Sequence, residues 1–159
     1  MKIGVVSDTH SRVIAKQLLN DFKSVDLIVH AGDFCSEKDL RIFTQIKEVK
    51  AVYGNMDEPS LVSKLTRRLI FQWGGFFFGL CHGQGAANHA LANIQSEFKK
   101  DKLDVVIFGH SHCPFNQEIN GILYFNPGSP NDFVCSPYCS YGILEIKEHK
   151  IVGNIIKVK

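Results

Sequence analysis

Residues 2–33 read KIGVVSDTHSRVIAKQLLNDFKSVDLIVHAGD. A short apolar run rich in β-branched residues (2–8) is followed by Val13, Ile14, Leu18, Leu19 and Phe22 at helical spacing, then by a second apolar run (25–33). Short apolar runs bounded by turn residues suit strands, and the spacing between them suits a helix over 11–22. The pattern then repeats. Residues 36–49, SEKDLRIFTQIKEV, predict a second helix, with Ser36 at its N-cap and Leu40, Phe43 and Ile46 as its buried stripe. Residues 49–55, VKAVYGN, make a third strand. A β-α-β-α-β opening implies a partly parallel sheet with right-handed crossovers and helices on a face.

The second half changes character. RRLIFQW (67–73) and FFFGLCHG (76–83) read as strands joined by a hairpin at Gly74-Gly75. AANHALANIQSEFKK (86–100) supplies another amphipathic helix, with Leu91, Ile94 and Phe98 on one side. The strands DVVIFGH, FNQEING, ILYFNPG, YGILEIK and KIVGNIIKV follow, with Asn120-Gly121 a strong two-residue turn signal. The tail is expected to be mostly antiparallel. Two packed sheets with helices outside is the architecture these patterns predict.

A chain of 159 residues suits one domain, 1–159, and can bury a core without staples. With 45% hydrophobic and 21% charged residues, it has an ordinary globular composition. The net charge of +2 gives no strong nucleic-acid or membrane signal. Arg67-Arg68 and the cluster Lys99, Lys100, Lys102 read as solvated faces. The first apolar run is too short for a signal-peptide core, and GGFFFGL is too short to span a bilayer. Five cysteines, an odd number, fit reduced thiols in a soluble cytoplasmic protein. Cys135 and Cys139 lack the second close pair that a zinc site of that kind requires.

The chemistry gathers at strand ends. Successive strands finish in Asp8-Thr9-His10, His30-Ala31-Gly32-Asp33, Gly54-Asn55-Met56-Asp57, Cys81-His82-Gly83 and Gly109-His110-Ser111-His112. Each ending offers a residue able to bind a metal, beside or near a glycine. In open α/β sheets, sites form beyond the carboxyl ends of strands. Carboxylate, imidazole and amide oxygen form a mixed ligand set suited to manganese, iron, zinc, nickel or cobalt. Any one of these endings alone is ordinary turn chemistry; the ordered set is not.

Asp8-x-His10, Gly32-Asp33, Gly54-Asn55, His82-Gly83 and Gly109-His110-x-His112 together resemble the calcineurin-like metallophosphoesterase superfamily. The short length and the NPGS at 126–129 resemble its small YfcE-type phosphodiesterase branch. The resemblance implies a four-layer α/β/β/α sandwich of two mixed β-sheets flanked by helices. It implies two divalent transition-metal ions, manganese first, with nickel, cobalt, zinc or iron as alternatives. Asp8, His10 and His112 would hold one ion, Asp33 would bridge, and Asn55, His82 and His110 would complete the other. Asp33, Asn55 and His82 would be the core of the catalytic set. A hydroxide between the ions would attack the phosphorus of a small phosphodiester substrate. Relatives often carry a histidine after Gly-Asn; here it is Met56, whose thioether cannot donate a proton. Modest turnover on unactivated alkyl esters is therefore expected, with Asp57 supporting the Asn55 turn. His30 could line the site or hydrogen-bond a ligand, His89 and His149 are expected on the surface, and Cys35, Cys81 and Cys113 are expected as small buried packing. The competing expectation is a non-catalytic protein-binding scaffold similar to the retromer subunit of this fold. A superfamily nuclease would want a basic stripe, which is missing, and a homodimer is compatible with the edge strands.

Overall fold

The computed structural model describes residues 1–86 and 89–159. Ala87 and Asn88 belong to the segment expected to open the third amphipathic helix, and lie outside the described residues. The first sheet takes β1 (Lys2–Val6), β2 (Leu27–His30) and β3 (Val49–Ala51) from the opening half. It adds β9 (Ser140–Lys147) and β10 (Lys150–Lys157) from the tail, in the order β10-β9-β1-β2-β3. The second sheet holds β4 (Arg68–Trp73), β5 (Phe76–Cys81), β6 (Val105–Ile107), β7 (Phe115–Ile119) and β8 (Ile122–Asn126), in the order β4-β5-β6-β8-β7.

Alternation along these strands builds the layers. Ile3, Val5, Leu27 and Val29 face Phe78, Leu80, Val105, Ile107 and Phe125 across the gap between the sheets, all fully buried. Each such side chain contributes roughly 1.5–3 kcal/mol. The opposite faces receive the helices. Val6 and Ile28 pack with Leu18 and Phe22 of α1 (Lys16–Phe22), Phe43 of α2 (Glu37–Thr44) and Leu61 of α3 (Pro59–Lys64). Val106 and Cys81 pack with Ile94 of α4 (Ala90–Glu97). The result is the four-layer α/β/β/α sandwich of two mixed sheets.

Several local expectations change. The first helix starts at Lys16, and Val13 is 91% exposed. The chain after Thr9 is held in left-handed turns at His10 and Ser11, so no helix can start there. Ser36 stands at the N-cap of α2, but its hydroxyl donates to Asp39 and caps no amide. Phe43 is buried while Leu40 and Ile46 are only partly so. The tail is mostly antiparallel, as expected, through β1–β9, β9–β10 and β7–β8, but the centre of the second sheet is parallel. β5, β6 and β8 run parallel, and only the outer pairs β4–β5 and β7–β8 are hairpins. Arg67 and Arg68 are not merely solvated, since Arg67 pairs with Glu97 at 2.6 Å and Arg68 lies 4.5 Å over the Phe98 ring.

The registers align the strand ends. Val6 pairs with His30 and His30 with Ala51, so β1, β2 and β3 end together. Leu80 pairs with Ile107, and Ile107 with Phe125, so β5, β6 and β8 end together in the other sheet. Both parallel blocks release their chains at one edge of the sandwich. Among the described residues, no helix is long and apolar enough to cross a membrane.

Candidate metal centre

The strand ends are laced to one another before any side chain is considered. The amides of Asp8, His10 and Ser11 donate to the carbonyls of Gly32, Asp33 and Phe34 at 3.0, 3.1 and 2.9 Å. Across the sheets, the His110 amide donates to Asp8 Oδ2 at 3.1 Å, and Ser129 Oγ donates to the Asp8 carbonyl at 2.8 Å. This lacing forces unusual backbone. Among the described residues, nine non-glycine residues have positive φ, and Asp8, His10, Asp33, His110 and His112 are five of them. Each such residue costs about 1 kcal/mol or more, and strain of this kind collects at functional sites. Two glycines permit the close approach. A Cβ on Gly54 would collide with Asp33 Oδ1, and one on Gly109 would collide with Ser7 Oγ and stand 2.9 Å from Asp8 Oδ2.

All seven residues expected as ligands meet in this space. Asp8 is fully buried, and among the described residues its Oδ1 has no hydrogen-bond partner. That oxygen lies 3.4 Å from His112 Nε2, 3.9 Å from His82 Nε2 and 4.0 Å from His10 Nε2. His10 Nε2 and His112 Nε2 are 3.1 Å apart. Two imidazole nitrogens at about 2.1 Å from one ion stand about 3 Å apart, so the spacing suits a shared cation. Asp33 Oδ2 is 3.3 Å from His82 Nε2 and 4.0 Å from His10 Nε2, which puts it between the two histidines. Asp8, His10 and His112 form one cluster able to hold a metal, and Asp8, Asp33 and His82 form a second.

Tautomers sharpen the picture. His82 Nδ1 donates to the Ala31 carbonyl at 2.7 Å, which leaves a lone pair on Nε2. His110 Nε2 donates to the Gly85 carbonyl at 2.8 Å, which leaves a lone pair on Nδ1. Both lone pairs face Asn55 Oδ1, at 3.2 and 3.1 Å. Three acceptors turned on one point call for a cation.

Electrostatics agree. Among the described residues, no lysine or arginine pairs with Asp8 or Asp33; their charged-group neighbours are histidines. Burial pulls the His82 ring down, but Asp33 and Asp8 outweigh it and hold it above its ordinary value. The nearby Asp8 carboxylate, helped by Asp132, pushes His112 up to about 9 against the pull of burial. Burial wins at His10 and lowers it despite Asp8 and Asp33. Burial pushes Asp33 up, but His82 and the Met56 amide bring it below the usual carboxylate range.

The supporting residues sort clearly. Asp57 accepts the amides of Gly54, Asp33 and Cys35 at 2.7, 3.1 and 2.7 Å, so it braces both the Asp33 and Asn55 turns. His30 does not reach the cleft. It accepts the Gly32 amide at 3.2 Å, meets Thr9 Oγ1 at 3.2 Å and stacks on Phe34, with burial holding its ring neutral. His89 and His149 are exposed, as expected. Cys81 is buried and Cys35 half-buried, but Cys113 is exposed and is not packing. Burial pushes Cys35 up to about 11 and Cys81 up to about 12, so neither is a reactive thiolate at neutral pH. Cys135 and Cys139 join neither metal-binding cluster. Asn126, from the NPGS stretch, donates to the Gly109 carbonyl at 2.9 Å and steadies the His110 turn. Two residues had no sequence signal. Asp132 binds His112 Nδ1, and Arg12 enters the cleft wall with Nη1 on the Asn131 carbonyl at 3.1 Å.

The cleft over these groups has a volume of about 650 Å³, with Met56 and Val134 on its walls. Residues 1–149 match the calcineurin-like phosphoesterase superfamily domain. The chain belongs to that superfamily. A probable metallophosphoesterase of Methanothermobacter thermautotrophicus is 35% identical over 99% of the chain and 92% of its own length. A phosphodiesterase of Methanocaldococcus jannaschii is 28% identical over 80% of the chain and 83% of its own length. Among solved structures, zinc-complexed wild-type Vps29 of Entamoeba histolytica shares the fold. Its TM-score is 0.75 and its identity 24%, over 99% of each chain. Calcineurin-like phosphoesterases use divalent metals, and the donor set of this member fits such ions through the orphaned Asp8 oxygen and the three facing lone pairs.

Proposed function

We propose that this phosphoesterase is a single-domain cytoplasmic phosphodiesterase, residues 1–159, working with two divalent transition-metal ions, manganese first. One observation carries the reading: the buried, unpartnered Oδ1 of Asp8, within 4.0 Å of three imidazole nitrogens. Asp8, His10 and His112 would hold one ion and Asn55, His82 and His110 the other, with Asp33 available to both. Bound ions would supply an acidified water and neutralise phosphoryl charge. The remaining work belongs to the chain. The Met56 amide fixes Asp33 Oδ1 at 2.8 Å, leaving Oδ2 turned to the ligands. The Ala31 carbonyl keeps the His82 Nε2 lone pair toward the cleft. Arg12 offers the guanidinium on the cleft wall to a non-bridging oxygen of a small phosphodiester.

Beyond the ligands, the described lining holds no free imidazole to protonate a leaving alkoxide, and Met56 stands 57% exposed where one would serve. Substrates with good leaving groups are favoured. The archaeal relative named a phosphodiesterase supports the substrate class.

The test is reconstitution of metal-free protein with manganese, nickel, cobalt or zinc against bis(4-nitrophenyl) phosphate. Hydrolysis is expected, falling at least 100-fold in Asp33→Asn and His82→Ala. No activity with any of the four metals, or activity indifferent to both substitutions, refutes the enzyme reading. A non-catalytic scaffold is the second reading. It is favoured by the apolar pair Phe133 and Val134, 84% and 89% exposed on the loop that reaches the cleft. Metal binding without turnover would favour it.

A further inference from the structure

The four cleft imidazoles differ in what stands behind them. His82 and His110 donate from their rear nitrogens to backbone carbonyls, of Ala31 and Gly85. Among the described residues, His10 Nδ1 meets the Cys35 sulfur alone, at 3.5 Å. His112 alone has a carboxylate, Asp132 Oδ2, on Nδ1. That carboxylate is built in. Asp132 is 5% exposed, and its Oδ1 accepts the amides of Val134 and Cys135 at 2.8 and 3.1 Å. Its neighbour Asn131 donates to the Thr9 carbonyl at 2.9 Å, and Cys139 Sγ donates to the Asp132 carbonyl at 3.4 Å. With one oxygen committed to amides, the other can only face the imidazole.

We infer that Asp132 is a positioning residue that holds His112 in the Nε2-lone-pair tautomer, making the Asp8–His10–His112 position the tighter of two unequal cation sites. A carboxylate behind an imidazole fixes the ring, selects the tautomer and raises its basicity toward a metal. The carbonyls behind His82 and His110 fix rings too, but carry no charge. Asp132, which lies outside the ligand motifs, therefore adds to the difference that the Asp8 carboxylate, set against the neutral Asn55 amide, already gives the two positions. The inference rests on the metal-centre reading but not on catalysis.

The decisive comparison is Asp132→Asn against Asp132→Ala. In Asp132→Asn the single amide oxygen is claimed by the Val134 and Cys135 N–H groups. Its NH2 then faces His112 Nδ1 and donates to it. That donation selects the opposite tautomer, with the proton on Nε2, where the metal lone pair is needed. Asp132→Ala leaves the tautomer free. Calorimetric titration of metal-free protein with manganese or zinc should find the tighter equivalent weakened about 10–100-fold in Asp132→Asn. The loss in Asp132→Ala should be smaller, and the weaker equivalent unchanged in both. Melting in EDTA should rank the variants the other way, Asn above Ala, because Asn keeps the amide bonds. Nitrogen NMR of metal-free Asp132→Asn should show His112 protonated at Nε2. A merely structural Asp132 predicts that Ala is worse on every readout, and that result overturns the inference. Equal weakening of both equivalents, unchanged affinity, or a wild-type protein that binds no metal overturns it as well. Unequal binding of two ions without phosphodiester hydrolysis would sink the proposed activity and leave this inference standing.

Discussion

Asp57→Ala should loosen the centre without touching a ligand. The Asp57 carboxylate receives three amides, from Gly54 and Asp33 on Oδ2 and from Cys35 on Oδ1. Asp33 is 2% exposed and Gly54 is buried, so water reaches those two amides poorly, whereas Cys35 is half-buried. A buried donor left unpaired costs about 1–3 kcal/mol, which makes the expected loss about 3–7 kcal/mol with the third amide at the low end. For a chain of this length that is on the order of 10 °C in melting temperature. Asp57→Asn keeps one acceptor oxygen for the Gly54 and Asp33 amides and sets its NH2 against the Cys35 N–H. Its loss should be about half as large. Urea and thermal unfolding in EDTA give the stability free of metal linkage, and manganese titration of the same variants reads the site. Affinity should fall for both ions, because the Asp33 and Asn55 turns share this brace. An Asp57→Ala protein within 1 kcal/mol of wild type, with unchanged manganese affinity, would refute the reasoning.

The remaining expectations concern the cleft rim, the close approach of the sheets and the titrating side chains. Met56→His should raise turnover on alkyl diesters more than on aryl diesters, flattening the dependence of rate on leaving-group pKa; an equal change for both classes counts against a missing proton donor. Gly109→Ala should cost about 1–3 kcal/mol or more in urea unfolding through its collision with Ser7, and a neutral result would mean the two sheets can part at that edge. Iodoacetamide near pH 7.5 should label Cys113 and Cys135 well before Cys81 and Cys139, read by peptide mass spectrometry; early labelling of Cys81 would contradict its burial. Burial, then the bond to Asp21, push the Tyr141 hydroxyl above its ordinary value of 10.0. Its share of stability is therefore complete below about pH 10 and is lost as pH rises through the higher folded value. Tyr141→Phe should show a shallower alkaline fall in urea midpoint, and an unchanged slope would mean that Tyr141 does not drive that fall.

The parts legible in the sequence were those written in local signals. Asn120-Gly121 announces its hairpin because both positions take positive φ, 52° and 79°, which few other residue pairs tolerate. The meeting of the seven strand-end residues was legible because a parallel sheet releases its chains at one edge, so order along the chain becomes proximity in space. Non-local choices were not legible. Nothing within 122–126 says that β8 will lie parallel to β6, because that depends on which sheet edge is free when the hairpin docks. Val13 carries the helical spacing yet is exposed, since the lacing of His10 and Ser11 to the second strand's loop overrides propensity there. Asp132 sits in a loop without periodicity, and its partner is a residue 20 positions earlier, so only the fold reveals the pair.

Anomalous diffraction from crystals equilibrated with manganese or zinc tests the metal centre most directly. Two peaks about 3.5–4 Å apart are expected. One should lie among Asp8, His10 and His112, the other among Asn55, His82 and His110, with Asp33 contacting both. A single peak, two peaks that exclude Asp33, or occupancy away from these seven residues would contradict a two-metal centre built on these strand ends.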